Sequence, residues 1–461
     1  MNKILWTTAV LSLLLAACGN NEESESVTPN LPVETIEEVA PEETTDDELE
    51  EEEEDNAVYN PEDTMVGAIT DTEPIPLEEY DEDKWTFFDS RDTGERVESG
   101  VFAEEDRLYI GTERHSIIAL DYDSNIFWED QIPAVSFGTD FTMDDTQVYS
   151  PSMGGKRSDD DHIAAISKET GNVNYEIDIS EYAEISEFLI GDEAFYVTLG
   201  KMEDIEEDLY AGQISLHKFD KITGERVWET EINGVPLGHG RANHYVLEQN
   251  DELIFIFEHT DDGVQRIVGR SKVDGTEVWS TVIGGEDRED GARLGRLYHS
   301  NGAVYTIDGF DMIHVFDDMT GEKITEHPFN GYQPGGMVPL PIVHEDLFIW
   351  QHGTEDYHHL KAVDPKAGKD LWVLDMDGHF LVDYEILEDT LYAFFGSLDY
   401  DAEENTLMAR IDPYTGEVLD VVDLGTSISA KLNNFYVRMG LTEYNGKLAY
   451  FYDNLVYIFN E

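Results

Sequence analysis

Side chains suited to chemistry are few among the 461 residues: one cysteine, Cys18, fourteen histidines, and 28 Lys and Arg against 102 Asp and Glu, for a formal net charge of -74. A lone thiol excludes an intrachain disulfide and any adjacent-cysteine redox pair. His239 with His244, and His358 with His359, lack a convergent Cys or carboxylate pattern, so surface or hydrogen-bonded roles describe them better than metal ligation. Asp121-Tyr122-Asp123-Ser124-Asn125 and Asp399-Tyr400-Asp401 look cation-like, but the first lacks the Gly and distal Glu of a calcium loop, and both fall at expected turns. Carboxylates are too dense for a glycosidase pair to stand out. No catalytic residue, metal or cofactor is assigned. Nucleic acid is excluded as a direct partner, because phosphate binding needs clustered Lys and Arg.

The chemistry of Cys18 follows from its position. Lys3 precedes an apolar run from Ile4 to Leu15 and the small residues Ala16 and Ala17, so residues 1–17 read as a secretory signal peptide, too short for an ordinary transmembrane helix. Leu15-Ala16-Ala17-Cys18-Gly19 resembles the lipobox of bacterial lipoproteins. That resemblance implies a diacylglyceryl group on Cys18, hence a chain anchored to the cell membrane on its extracytoplasmic side.

Residues 18–83 form the second segment. From Gly19 to Asp83 there are 26 Asp and Glu, no Lys or Arg, and prolines at 29, 32, 41, 61, 74 and 76. Such a stretch cannot bury enough apolar surface to offset chain entropy, and is expected to be a disordered acidic tether. Its 65 residues reach on the order of 200 Å when extended, enough to cross a thick cell wall, which favours a monoderm host.

The elements that position everything else are repeats. The fullest copy is Phe219-Asp220-Lys221-Ile222-Thr223-Gly224-Glu225-Arg226-Val227-Trp228, and in the register of its Asp the copies begin at Asp121, Ser167, Asp220, Ser271, Asp317, Asp364, Asp412 and Asn460. The steps are 46, 53, 51, 46, 47, 48 and 48 residues. About ten residues before each turn runs an aromatic and β-branched strand such as Leu108-Tyr109-Ile110 or Phe195-Tyr196-Val197; a second strand leads into the turn and a third leaves it. Asp can accept backbone N–H groups at the reversal, and Gly171, Gly224, Gly275, Gly321, Gly368 and Gly416 supply the positive φ, with Asn125 in the first copy. Four short antiparallel strands per step predict an all-β, eight-bladed β-propeller over residues 84–461. The last copy stops one strand short, so the strand at Lys84-Trp85-Thr86-Phe87-Phe88 is expected to close it, with Trp85 as its outgoing Trp.

The repeats resemble the quinoprotein-type (pyrroloquinoline quinone) family: a small or apolar residue, Leu, Asp, two variable residues, Thr-Gly, then Trp four positions after the Gly. Trp228, Trp279 and Trp372 match, Trp128 comes one residue early, and Tyr175, Thr325 and Asp420 depart. The family implies either a quinone-dependent dehydrogenase or a non-catalytic binding ring. Its dehydrogenases carry adjacent cysteines, a Ca²⁺ site and an Asp base, which this chain does not match. The architecture is also similar to the lipoprotein class that serves outer-membrane β-barrel assembly, although the long tether departs from it. The preferred expectation is a membrane-tethered scaffold presenting loops to a protein partner.

Two groups of charges are candidates for docking. Long loops between second and third strands carry Asp159, Asp160, Asp161, Glu206, Glu207, Asp208, Asp261, Asp262, Glu403 and Glu404, a possible acidic rim. Against the overall charge, Arg241, Arg293, Arg296, Lys431 and Arg438 fall on or beside expected innermost strands, where they would line the channel for an anionic ligand or acidic peptide. The ordinary alternatives are solvated loops and internal ion pairs. Residues 84–461 hold 76 acids against 27 bases, a self-repelling charge that predicts adaptation to salt.

Overall fold

The computed structural model describes residues 64–81, 85–89 and most of 97–460. The longer stretches outside it are 1–63, 90–96, 132–140, 153–160, 202–213, 233–246, 260–264, 284–293, 330–340, 398–405 and 426–438. The chain divides into two units, residues 1–58, which lie outside the description, and residues 59–461, which hold the propeller.

Alternating apolar strands and tight reversals build eight sheets, each containing a four-stranded antiparallel meander. We number the blades in chain order. Blade 1 runs through Val97–Ala103, Leu108–Thr112, Ser116–Leu120 and Ile126–Gln131. The outer three strands of the next blades begin at Gln147, Ala194, Leu253, Ala303, Leu347 and Thr390. First strands of adjacent blades neighbour one another around the axis, as His379–Leu387 does Met439–Tyr444, which in turn neighbours Val97–Ala103.

Because side chains alternate along a strand, one strand serves two junctions. Leu108 and Ile110 join the cluster with Ala449 and Ile458 of blade 8, while Tyr109 between them joins Val148 and Ile166 of blade 2. Second strands are accordingly buried on both faces, at every position in Leu108–Thr112 and Ala194–Gly200. The apolar clusters number eight among the described residues, one between each pair of consecutive blades.

The ring closes as expected: Trp85–Asp89 pairs antiparallel with Leu455–Asn460 as the outer strand of blade 8. The role expected of Trp85 needs correction. In blade 3 the outgoing Trp228 stands opposite Lys218, two residues before the turn; in blade 8 the matching position opposite Ile458 belongs to Thr86. Trp85, one residue off, packs instead between blades 7 and 8 beside Tyr80. The positive φ of the first turn also moves, from Asn125 to Ser124 (φ 67), since this turn is one residue shorter. That deletion is why Trp128 arrives early.

The tether does not extend to residue 83 as a free segment. Met65–Ala68 lies parallel to Lys369–Asp375 as a fifth strand on blade 6, and Ile75–Pro76 lies parallel to Val418–Asp423 on blade 7. Ile69, 1% exposed, enters the cluster between blades 6 and 7; Tyr80 enters that between blades 7 and 8. Few apolar residues suffice here, because the ring supplies the rest of the buried surface. Among the described residues no helix is long and apolar enough to cross a membrane.

Candidate docking face and channel

Each repeat turn is held by its opening residue. Asp220 Oδ1 accepts the N–H groups of Ile222 (3.0 Å) and Thr223 (2.8 Å) and the Thr223 hydroxyl (2.9 Å), while Gly224 N–H donates to the Asp220 carbonyl (2.9 Å). Hydrogen bonds from Thr223, with burial opposing them weakly, hold the Asp220 carboxyl below its ordinary value. Asp317 repeats the arrangement, and Asp412 repeats its backbone contacts.

The turn is also where the preceding blade attaches. The indole N–H of Trp128 donates to the Lys168 carbonyl (2.9 Å), Trp228 to Lys272 (3.2 Å), Trp279 to Asp318 (3.0 Å) and Trp372 to Pro413 (2.8 Å). Tyr175 does the same through its hydroxyl to Lys221 (2.9 Å). In every case the acceptor is the second residue of the next blade's turn. The ring lies on the turn glycine: a Cβ on Gly321 would stand 2.3 Å from Trp279, and one on Gly224 2.4 Å from Tyr175. Glycine is thus required twice, for its positive φ and for this contact.

Basic side chains reinforce these junctions. Lys168 pairs with Glu104 of blade 1, donates to the Asp144 carbonyl (2.9 Å) and the Tyr444 hydroxyl (3.2 Å), and lies over the rings of Tyr109 and Tyr444. Lys221 of blade 3 reaches Asp144 of blade 2 (2.8 Å). Burial, the largest influence on Asp144, pushes its carboxyl up; Lys221, the N–H groups of Thr146 and Gln147 and the Tyr149 hydroxyl outweigh it and hold the group at about 2. Within blade 4 the fully buried Glu258 is clamped by Arg266 (3.0 Å) and by Arg270, whose Nε donates at 2.6 Å. In blade 7 Arg410 pairs with Asp420 (2.9 Å) and donates to the Tyr80 hydroxyl (3.2 Å). These described cations serve internal ion pairs.

Of the candidate channel residues, Arg241, Arg293, Lys431 and Arg438 lie outside the described residues. Arg296 falls in Leu294–Ser300, the first strand of blade 5, with its side chain outside the description. Of the candidate rim, Asp159, Asp160, Glu206, Glu207, Asp208, Asp261, Asp262, Glu403 and Glu404 lie outside the described residues. Asp161 is described and is not a rim residue: it is 4% exposed, and its carbonyl accepts the N–H of Ile179 at 2.9 Å, which draws the start of the third strand into the blade.

One group near the axis was missed by sequence reasoning. In the first strand of blade 7, His379–Leu387, the register slips between Leu381 and Asp383. The extra residue re-aims the side chains that follow. Burial, partly offset by the N–H of Tyr384 and aided by the charge of Glu385, pushes the Asp383 carboxyl up to about 7. Next to it Tyr384 locks blade 7 to blade 6 through its hydroxyl and the Ile349 carbonyl (2.9 Å). Only the break in apolar alternation at Val382-Asp383 hints at this in the sequence.

A closed ring of eight four-stranded blades, joined through turn carbonyls and glycines, defines a quinoprotein-like β-propeller. Residues 77–241 and 212–427 match the family model described as outer membrane protein assembly factor BamB, and the chain belongs to that family. Among solved structures it is similar to BamB from Moraxella catarrhalis, with a TM-score of 0.52 and 15% identity over 82% of this chain and 99% of that one. It is also similar to the quinohemoprotein alcohol dehydrogenase from Comamonas testosteroni, with a TM-score of 0.52 and 11% identity over 82% of this chain and 76% of that one. At these identities the likenesses show the fold. None of the curated proteins matches the sequence.

The fold is compatible with partner binding and with quinone chemistry alike, so the residues must discriminate. Cys18 is the only cysteine, so the adjacent pair cannot exist, and no group of three or more His, Cys, Asp or Glu converges to hold a cation among the described residues.

Proposed function

We propose that this protein is a lipid-anchored, extracytoplasmic, non-catalytic scaffold whose ring presents its loops to a protein partner. The observation that carries the reading is the use to which the described polar groups are put. Lys168, Lys221 and the outgoing aromatics bind neighbouring blades, and Arg410 binds Asp420 of its own blade and the Tyr80 hydroxyl, so these described groups serve the ring itself. Family membership supports a scaffold role. The acidic loop residues 159–160, 206–208, 261–262 and 403–404 are then the docking rim, and Arg241, Arg293, Arg296, Lys431 and Arg438 a positive channel lining for an acidic segment of the partner. Thr64 meets the outer edge of blade 6, where its carbonyl accepts the N–H of Val373 (3.0 Å).

Crosslinking in native membranes followed by mass spectrometry tests this. One abundant protein partner, lost when Glu206, Glu207 and Asp208 are changed to Gln, Gln and Asn, is the expected result. Quinone-dependent dye reduction by the purified protein would overturn it in favour of a dehydrogenase. Cys18→Ser should move the protein from the membrane to the aqueous fraction; continued membrane attachment would refute the lipid anchor. Unchanged partner affinity after Arg241→Gln with Arg296→Gln would remove the channel from the binding site.

A further inference from the structure

The repeat turns share one face of the ring with the turns between first and second strands. Backbone bonds tie the two sets together: the N–H of Lys221 donates to the Glu193 carbonyl (3.1 Å), that of Lys272 to Glu252 (2.9 Å) and that of Asp318 to Gly302 (3.3 Å). Successive strands are antiparallel, so the loops between second and third strands leave from the other face.

The third residue of each repeat turn stands at its tip. Ile222 of blade 3 is 83% exposed, Val273 of blade 4 is 80% exposed, and Met319 of blade 5 is exposed as well. Asp123, Glu169 and Lys366 hold the same position in blades 1, 2 and 6, so the turn accepts a charge there and folding does not call for an apolar side chain. Five residues further on, on the outer strands of the same three blades, Val227, Val278 and Ile324 are half-exposed. Single exposed apolar residues are ordinary, but two equivalent positions filled this way on three consecutive blades make a ridge. Blade 7 repeats the pair with Tyr414 and Leu419, separated from the ridge by Lys366 of blade 6. The tips are also fixed in place. Asp220 holds the N–H of Ile222 (3.0 Å), the Ser271 hydroxyl that of Val273 (3.1 Å) and Asp317 that of Met319 (3.1 Å), so little ordering is left to be lost on contact.

We propose that this ridge on blades 3 to 5 is a docking surface for a cationic amphipathic segment of a protein partner. Charge selects the occupant. Exposed Asp192, Glu193, Asp251 and Glu252 stand in the adjoining turns, and each repeat turn adds an acid of its own, Glu225, Asp274 or Glu322. The nearby cations are engaged: Lys221 with Asp144 (2.8 Å) and the Gly191 carbonyl (3.0 Å), Lys323 with Glu326, and half-buried Lys272 over the Tyr196 ring. Apolar side chains flanked by Lys or Arg therefore match the ridge and its border together. A second copy of this acidic chain, or an anionic lipid surface, would be repelled. The N-terminal strap, residues 65–80, lays its strands on blades 6 and 7. This contact is separate from the loops between second and third strands and does not depend on them.

Site-specific photocrosslinking of the full-length protein tests the proposal. A photoreactive benzoylphenylalanine at position 222 should capture a synthetic amphipathic peptide of leucine and lysine about tenfold or more better than the same group at position 169, and better than it captures a lysine-only peptide of equal charge. Val273→Ser, and separately Asp192→Asn with Asp251→Asn, should lower the yield at position 222. Equal yields at the two positions, or with the two peptides, would overturn the proposal. Ile222→Ser and Val273→Ser should leave the melting temperature unchanged; a clear fall would show that the tips serve the fold, and would equally overturn it. In native membranes the group at position 222 should capture a protein whose crosslinked peptide carries Lys or Arg beside apolar residues. Capture of lipid, of a second copy or of an acidic peptide, or no product, would refute the assignment.

Discussion

The indole of Trp279 in blade 4 donates to the carbonyl of Asp318 in blade 5 at 3.0 Å, and the same ring covers Gly321 so closely that a Cβ there would stand 2.3 Å away. Donor, acceptor and glycine belong to consecutive copies of one motif, so the repeat signature is a description of the joint between two blades. Trp279→Ala is expected to cost about 3–5 kcal/mol through cavity formation. Gly321→Ala, which combines a positive φ with overpacking, should cost about 2–4 kcal/mol. Chemical denaturation of the two single variants and the double variant checks this: the double should cost clearly less than the sum, because both lesions break one joint.

Tyr80 stands in for an aromatic that blade 7 lacks, and its hydroxyl accepts from Arg410. Tyr80→Ala should destabilise by about 3 kcal/mol, the cost of emptying a packed site, and Tyr80→Phe by about 1 kcal/mol, the worth of one hydrogen bond. Equal losses in thermal unfolding would show that the packing contributes nothing.

Asp144 is held at about 2 in the folded ring against an ordinary 3.8. A lowered carboxylate stabilises above its unfolded pKa, and that contribution disappears as pH falls from about 4 to about 2. Asp144→Asn should therefore cost about 2 kcal/mol at pH 6 and nothing measurable near pH 2. A pH-independent difference in unfolding free energy would disprove the linkage.

Asp383 runs the other way. Its folded value is raised to about 7 from 3.8, so the folded ring binds the proton more tightly and stability falls as pH rises from about 4 to about 7. Asp383→Asn removes the buried charge and should raise stability at pH 8 by on the order of 2 kcal/mol, with the gain fading by pH 4. Melting curves at the two pH values are the measurement, and a variant less stable at pH 8 would contradict the assignment.

The propeller region carries 76 acids and 27 bases, and several of its described cations, among them Lys168, Lys221 and Arg270, are held in ion pairs. The remaining repulsion is screened over about 8 Å at physiological ionic strength and about 3 Å at 1 M. The melting temperature should rise with NaCl; a flat or falling trend would refute adaptation to salt.

Residue order alone determined the blade count, the turn chemistry and the closure by the strand at Trp85, because these depend on period-two alternation and on local hydrogen bonding around Asp220 and its equivalents. The strap was not legible. Ile69 and Tyr80 stand in an acid-rich stretch, and their value as plugs exists only where the ring offers half-built junctions. The same holds for Trp85, whose partner blade depends on a one-residue register that flips every side chain to the other face. It holds as well for Asp161, drawn inward by a carbonyl pairing to Ile179, and for Asp383, whose proton affinity comes from a slip in the innermost strand of blade 7. Local sequence carries the pattern of a strand and its turn. Which face is covered, and by what, is decided only when the eighth blade meets the first and the N-terminal strap crosses the rim.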